Sequence, residues 1–150
     1  MQGTDELITT TFNKETKTTI FRKERQKEGE KKIQVTLEDV MLDAGFTMVP
    51  NILIEKYRKI GLNDKQLLVV ICLLKYAFGK KITYPSQKTI ARVTGQTERN
   101  VRRMIRELKM MGYITVYKRY YKEEGKNPKR ISNVYNLKGL LRKLKEVGGE

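Results

Sequence analysis

Between Tyr84 and Ile114 the chain reads YPSQKTIARVTGQTERNVRRMIRELKMMGYI, and this stretch leaves few folds open. Ser86 can cap a helix, because a serine oxygen at that position accepts an otherwise orphaned backbone N–H. Gly95 offers the left-handed conformation that ends a helix. Thr97 caps a second helix, and Gly112 ends it before the β-prone Tyr113-Ile114-Thr115-Val116-Tyr117. The spacing therefore predicts two short helices around a tight turn, followed by a strand.

The second of these helices is strongly two-sided. At about 100° per residue, Val101, Met104, Ile105 and Leu108 fall on one stripe that must face a core. Arg99, Arg102, Arg103 and Arg106 fall on the opposite stripe, at i, i+3, i+4 and i+7. A charge run on a helix is most often a solvated face, with acids and bases mixed for mutual support at i,i+4. Here the only acids are Glu98 and Glu107, both placed toward the flanks. Four arginines on one stripe repel one another unless an external polyanion meets them, which points to nucleic acid. Helix, turn, helix and strand at this spacing form the skeleton of a DNA-reading winged helix.

Charge distribution agrees. The 150 residues carry 32 Lys/Arg and 17 Asp/Glu, a net of +15. Residues 1–45 hold 8 and 9, for −1, so residues 46–150 hold 24 and 8, for +16. The whole excess falls in the part that reads as folded, as expected of a binder of phosphate backbones. No apolar run approaches the roughly 20 residues that span a bilayer. The start, MQGTDELITT, lacks a basic region followed by an apolar one, so no secretion signal is expected and the chain reads as cytoplasmic. With no histidine and one cysteine there is no Cys/His metal cluster, no internal disulfide and no His-based catalysis. Asp64, Glu55, Glu98 and Glu107 make no visible carboxylate pair, so no catalytic residue, metal or cofactor is expected. Cys72, inside LLVVICLLKYAF, reads as a buried small hydrophobe.

Residues 1–45 are polar and read as a flexible or loosely structured arm. Short strands are possible at 9–12 and 18–21, and a strand or short helix at 33–42. RKERQKEGEKK at 22–32 mixes charge with no apolar anchor and is expected to be mobile. The domain is expected from 46 to 150. Pro50 suits the first position of a helix that places Ile52, Leu53, Tyr57 and Ile60 on one side. Gly61 breaks that helix, and Asn63 with Gln66 forms a capping box for the next. This next helix, Asp64 to about Phe78, is apolar nearly all round and should be the central buried one. FGKKITYP can supply a short strand. YITVYKRYY and ISNVYNL read as the two strands of a β-hairpin, joined by the basic turn KEEGKNPKR at 122–130. A last helix, Lys138 to about Val147, carries Leu140, Leu141, Leu144 and Val147 on one face.

The pattern Tyr84-Pro85-Ser86-Gln87, Thr89-Ile90-Ala91, Gly95, Arg99-x-Val101-x-Arg103 and Leu108-x-x-x-Gly112-Tyr113-Ile114 resembles the winged helix-turn-helix domains of plasmid, phage and mobile-element replication initiators. The preceding VPNILIEKYRKIGLNDKQLLVVICLL is similar to the N-terminal domain of DnaD-type primosome proteins. The second, helical module of that type is not visible here. The resemblance spans Phe46 to Leu137 and implies DNA binding, with a role in replication initiation or transcriptional regulation.

The expected fold is α+β and mostly α: a winged helix-turn-helix with a two-stranded β-hairpin wing and a C-terminal helix. Arg99, Asn100, Arg102, Arg103 and Arg106 are the candidates for reading bases, since arginine can pair bidentately with guanine and asparagine with adenine. Ser86, Gln87, Thr97, Lys109, Lys122, Lys126, Lys129 and Arg130 are the candidates for holding the phosphate backbone. The expected partner is double-stranded DNA, with a second copy or other replication proteins as further partners and no membrane. A different class is also open: a protein-interaction module, with only nonspecific DNA affinity, built on the C-terminal leucines and on Tyr117, Tyr120 and Tyr121.

Overall fold

Caps written in the sequence set most of the element boundaries. The computed structural model describes residues 8–13, 18–23, 35–77 and 80–149, and the chain divides into two compact units, residues 1–40 and 41–150. In the first, β1 (Ile8–Asn13) and β2 (Thr18–Lys23) pair antiparallel, with Ile8 opposite Lys23 and Asn13 opposite Thr18. Both strands run longer than the sequence reading gave them. Of the mixed-charge run at 22–32, residues 24–32 lie outside the described residues. The segment expected as strand or helix at 33–42 supplies a helix, α1 (Leu37–Ala44), which crosses the division between units. Thr36 caps it: its Oγ1 accepts from the Asp39 amide at 3.2 Å, while Asp39 Oδ2 accepts from the Thr36 hydroxyl at 2.7 Å and amide at 2.8 Å. The Thr36 side chain, then its backbone, holds the Asp39 carboxyl below its ordinary value.

The second unit runs α2 (Asn51–Lys56), α3 (Asp64–Ala77), β3 (Ile82–Thr83), α4 (Gln87–Thr94), α5 (Glu98–Met110), β4 (Thr115–Tyr117), β5 (Tyr120–Tyr121), β6 (Lys129–Arg130), β7 (Val134–Asn136) and α6 (Lys138–Gly148). Pro50 stands at the N-cap of α2, one position before the first-turn place expected for it. Gly61, at φ +84°, reverses the chain toward α3. The capping box forms as read: the Asn63 amide donates to Gln66 Oε1 at 2.9 Å, and the Gln66 amide to Asn63 Oδ1 at 2.8 Å.

α3 contributes Val69, Val70, Cys72, Leu73 and Ala77 to the core, where α2, α4, α5 and α6 add Leu53, Ile90, Val101, Met104, Leu108, Leu140 and Leu144. The helix is not buried all round. Leu68 is 47% exposed, because α3 packs on β3, α4 and α5 and leaves its remaining side to solvent. Phe78, expected at its end, lies outside the described residues.

The sheet departs from a simple hairpin. β7 is the middle strand of an antiparallel trio ordered β3-β7-β4, and β5 with β6 forms a separate two-stranded ladder. YITVYKRYY is thus two strands rather than one. Tyr117 faces Val134 in the first ladder, and Tyr120 faces Arg130 in the second. Lys118 and Arg119 therefore stand opposite residues 131–133, two against three, which is a bulge. Lys129 and Arg130, expected in the loop, are strand residues.

α6 closes the domain. Leu140, Leu144 and Val147 are buried in the core, while Leu141 turns outward at 39% exposed. The Leu140 amide donates to the Tyr113 carbonyl at 2.8 Å, and Lys56 Nζ donates to the Val147 carbonyl at 3.1 Å. The result is a mostly helical α+β winged helix-turn-helix fold with small antiparallel sheets and a C-terminal helix.

Candidate nucleic-acid interface

The turn between α4 and α5 is built from its caps. Ser86 Oγ accepts from the Thr89 amide at 3.0 Å to start α4. Gly95 ends that helix at φ +65°, and the Gln96 amide donates back to the Ala91 carbonyl at 3.0 Å. Thr97 Oγ1 accepts from the Asn100 amide at 3.1 Å and starts α5. Gln96 Nε2 donates to the Lys65 carbonyl at 3.2 Å, tying the turn to the first turn of α3. These bonds fix the angle at which α5 leaves the core.

α5 divides as its periodicity demands. Val101, Met104, Ile105 and Leu108 are buried, and Arg99, Arg102, Arg103, Arg106 and Lys109 are exposed. The two acids reach further than their flank positions implied. Glu98 Oε2 lies 3.8 Å from Arg102 Nη2, and Glu107 Oε1 lies 4.0 Å from Arg103 Nε. The arginine face is therefore partly compensated, a correction to the single-sign stripe. Both pairs are long and exposed, so each is worth at most about 1 kcal/mol and yields readily to a stronger anion. Arg99 and Arg106 make no ion pair or hydrogen bond among the described residues.

Asn100 is locally engaged. Its Nδ2 donates to Gln96 Oε1, and its Oδ1 accepts from Arg103 Nη2 at 2.7 Å. It is half-buried, so its amide can meet a base only by releasing one of these bonds. Glu107 is held from behind as well, since its Oε2 accepts from Gln66 Nε2 at 2.7 Å.

A cleft of about 550 Å³ lies between the start of α4, the middle of α5 and the joint of the wing, lined by Ser86, Gln87, Arg102, Arg130, Ile131, Ser132 and Asn133. It brings together Arg102, a candidate for reading bases, with Ser86, Gln87 and Arg130, candidates for holding the backbone. Tyr135 is fully buried next to it. Burial pushes its phenol above the ordinary value, and the Asn133 and Gln87 side chains beside it partly offset this.

Lys122, Lys126, Lys129 and Arg130 are all exposed on the β5–β6 hairpin. Lys126 Nζ is paired with Glu123 Oε2 at 3.0 Å across a turn in which Gly125 adopts φ +75°. Among the described residues there is no group of three or more His, Cys, Asp or Glu that could hold a metal. No helix among them is long and apolar enough to cross a membrane.

One residue at the joint of the hairpin escaped the sequence reading. Arg119, opposite the bulged residues 131–133, holds its guanidinium carbon over the Tyr84 ring, 4.9 Å from the centroid, and donates from Nη2 to Ser132 Oγ at 3.0 Å. Its signal in the sequence is only a basic residue in a strand that otherwise alternates.

Comparison with known proteins agrees with this geometry at the level of the domain. Residues 61–114, from the turn after α2 to the residue before β4, match a family described as a helix-turn-helix domain. A comparison with curated proteins finds no match. The family match bears on the helix-turn-helix and does not extend to replication initiators or primosome proteins. Residues 61–114 of this chain form a helix-turn-helix domain, the class of module through which many proteins bind DNA.

Proposed function

We propose that this chain is a sequence-specific binder of double-stranded DNA, in which α5 enters the major groove and the β5–β6 wing lies along the flanking backbone. The observation that carries the reading is the outward face of α5. Four arginines and Lys109 are exposed there, and Arg102 shares a cleft with Arg130 from the wing and with the capped start of α4. Arginines on the helix supply bidentate donors for guanine, while lysines on the wing supply point charges for phosphate. Ser86, Gln87 and Thr97 stand at helix starts, where backbone amides and the helix dipole favour an anion. Residues 46–150 act as the DNA-binding domain and 1–45 as an arm. The sequence pattern supports a role in replication initiation of a plasmid or mobile element, with transcriptional regulation as the alternative.

The competing reading, an interaction module, loses one of its two supports, because Leu140, Leu144 and Val147 are core residues. Tyr117, Tyr120 and Tyr121 stay more than half exposed and are what still favours it. Selecting bound duplexes from a random DNA library separates the readings. A palindromic motif marks a dimeric repressor-like reader, and repeated direct sites mark an initiator. Enrichment of no motif, with binding that vanishes at moderate salt, refutes sequence-specific recognition. On the selected site, Arg102→Ala should cost about 1–3 kcal/mol and relax base preference. Lys126→Ala should weaken all sequences alike and make the salt slope shallower by roughly one.

A further inference from the structure

The wing joins the domain through a joint that needs something to fix its angle. Across the bulge, the β4–β7 and β5–β6 ladders are out of register by one residue, and a bulge bends and twists the strand that carries it. Two short strands with exposed side chains on both faces cannot hold that bend by burial, since Tyr120, Tyr121, Lys129 and Arg130 are all exposed. Arg119 spans the joint in three directions. Its backbone carbonyl accepts from the Ile131 amide at 3.0 Å on the opposite strand. Its Nη2 donates to Ser132 Oγ at 3.0 Å, also across the joint. Its guanidinium lies over the Tyr84 ring, in the segment that leads from β3 into the Ser86 cap of α4. Nε of the same side chain is buried without a hydrogen-bond partner, so this cation is drawn inward rather than presented to solvent.

We infer that Arg119 is a positioning residue: with Tyr84 and Ser132 it locks the wing at a fixed angle to the helix-turn-helix, so that the wing cations and α5 meet one duplex together. The inference rests on the DNA-binding reading for its purpose, but the lock itself is a property of the free protein. Arginine is required because one planar group stacks on a ring and donates sideways at once, which a lysine ammonium cannot do. The Tyr84 ring is a partner rather than a ligand contact, so removing it should act through Arg119.

Three variants and two measurements test this, the third, Arg119→Gln, serving to tell a lock from a phosphate contact. Arg119→Lys keeps the charge and loses the fork, and Tyr84→Leu keeps Arg119 and loses the ring. In the free protein, exchange of the Ile131 amide should accelerate at least tenfold in both variants, with the Leu108 amide of α5 unchanged. On a duplex, both variants should lose affinity for all sequences alike. Their salt slopes should fall by roughly two to four, the worth of several wing cations at about 0.9 each. Base preference at the α5 contacts should be retained. If instead Arg119 touches phosphate itself, Tyr84→Leu leaves the slope unchanged and Arg119→Gln lowers it by about one; that result overturns the lock. Unchanged Ile131 exchange in both variants overturns it too, whatever happens on DNA. Failure of the wild-type chain to bind any duplex removes the DNA-binding reading, while the exchange measurement still judges the lock.

Discussion

Two glycines in α6 should respond to alanine with opposite signs, and the difference follows from what a Cβ meets. Gly148, near the end of the helix, would place its Cβ 3.8 Å from Ile52 Cγ1 and 3.9 Å from Ile52 Cδ1, in ordinary van der Waals contact. Its φ is not in the left-handed range, so alanine fits. Gly148→Ala should stabilise by about 0.4–1 kcal/mol, mainly by narrowing the unfolded ensemble. Gly139, at the start of the same helix, would drive its Cβ into the carbonyl oxygen of Gly112. That oxygen is backbone, and the segment holding it is pinned by the Tyr113 amide on Leu108 O at 3.0 Å and by the Leu140 amide on Tyr113 O at 2.8 Å. Neither side can move without breaking one of these bonds. The same helix-propensity gain is then opposed by overpacking of about 1–3 kcal/mol and the loss of a hydrogen bond worth roughly 1 kcal/mol. Gly139→Ala should be net destabilising by about 1–3 kcal/mol, a fall of several degrees in Tm for a domain of this size. Urea melts of both variants, with the slope checked for constancy, measure the two signs. If Gly139→Ala equals or exceeds the wild type in stability, α6 does not abut the end of α5 and this corner of the fold is wrong.

Other perturbations follow from burial and caps. Leu73 is fully buried in the core, so Leu73→Ala should cost about 2–5 kcal/mol in a denaturant melt. Cys72 is buried and burial raises its thiol above the ordinary value, so a maleimide should label it only at the rate at which the domain opens. Removing residues 1–45 should leave a cooperative melting transition and equal or slightly higher DNA affinity; loss of the transition would show the arm to be structural. The Asp39 carboxyl is depressed by Thr36, so its support for α1 is present above the ordinary aspartate value. That support should fade as pH falls through the depressed one, read as loss of helical signal that Asp39→Asn abolishes.

Much of this domain was legible because its signals are local. Ser86, Thr97 and the Asn63–Gln66 box act within three residues, and each forms the bond its spacing implies. The buried stripe of α5 needs only the helical period. What escaped depends on partners far along the chain. The bulge that splits 113–121 into two strands is set by residues 129–136, and nothing in YITVYKRYY alone marks it. Leu68 looks like core by composition, yet its exposure is decided by which side of α3 the other elements cover. Arg119 was invisible for the same reason, since its partners Tyr84 and Ser132 lie 35 residues before it and 13 after.

The acids of α5 sharpen how the arginine face should work. Glu107 is half-buried, anchored by Gln66 on one oxygen and 4.0 Å from Arg103 on the other. A glutamine there can still accept from Gln66 through its amide oxygen, so Glu107→Gln should change stability by no more than about 0.5 kcal/mol. It removes a negative charge that a DNA phosphate would otherwise oppose and frees Arg103 from a competing partner. Near the surface a like-charge interaction of this kind is worth on the order of 1 kcal/mol at low salt, less when screened. Affinity should therefore rise a few-fold, for all sequences alike, and the gain should shrink as salt is raised. Glu98→Gln, beside Arg102 at 3.8 Å, should act in the same direction without the anchor. The informative comparison is with Glu123→Gln on the wing, which releases Lys126 from its 3.0 Å pair. If the helix variants gain affinity and the wing variant gains as well, both surfaces face phosphate in one complex. If Glu107→Gln and Glu98→Gln both leave affinity unchanged at low salt, the arginine face of α5 does not meet DNA, and the exposed tyrosines of the wing become the surface to pursue.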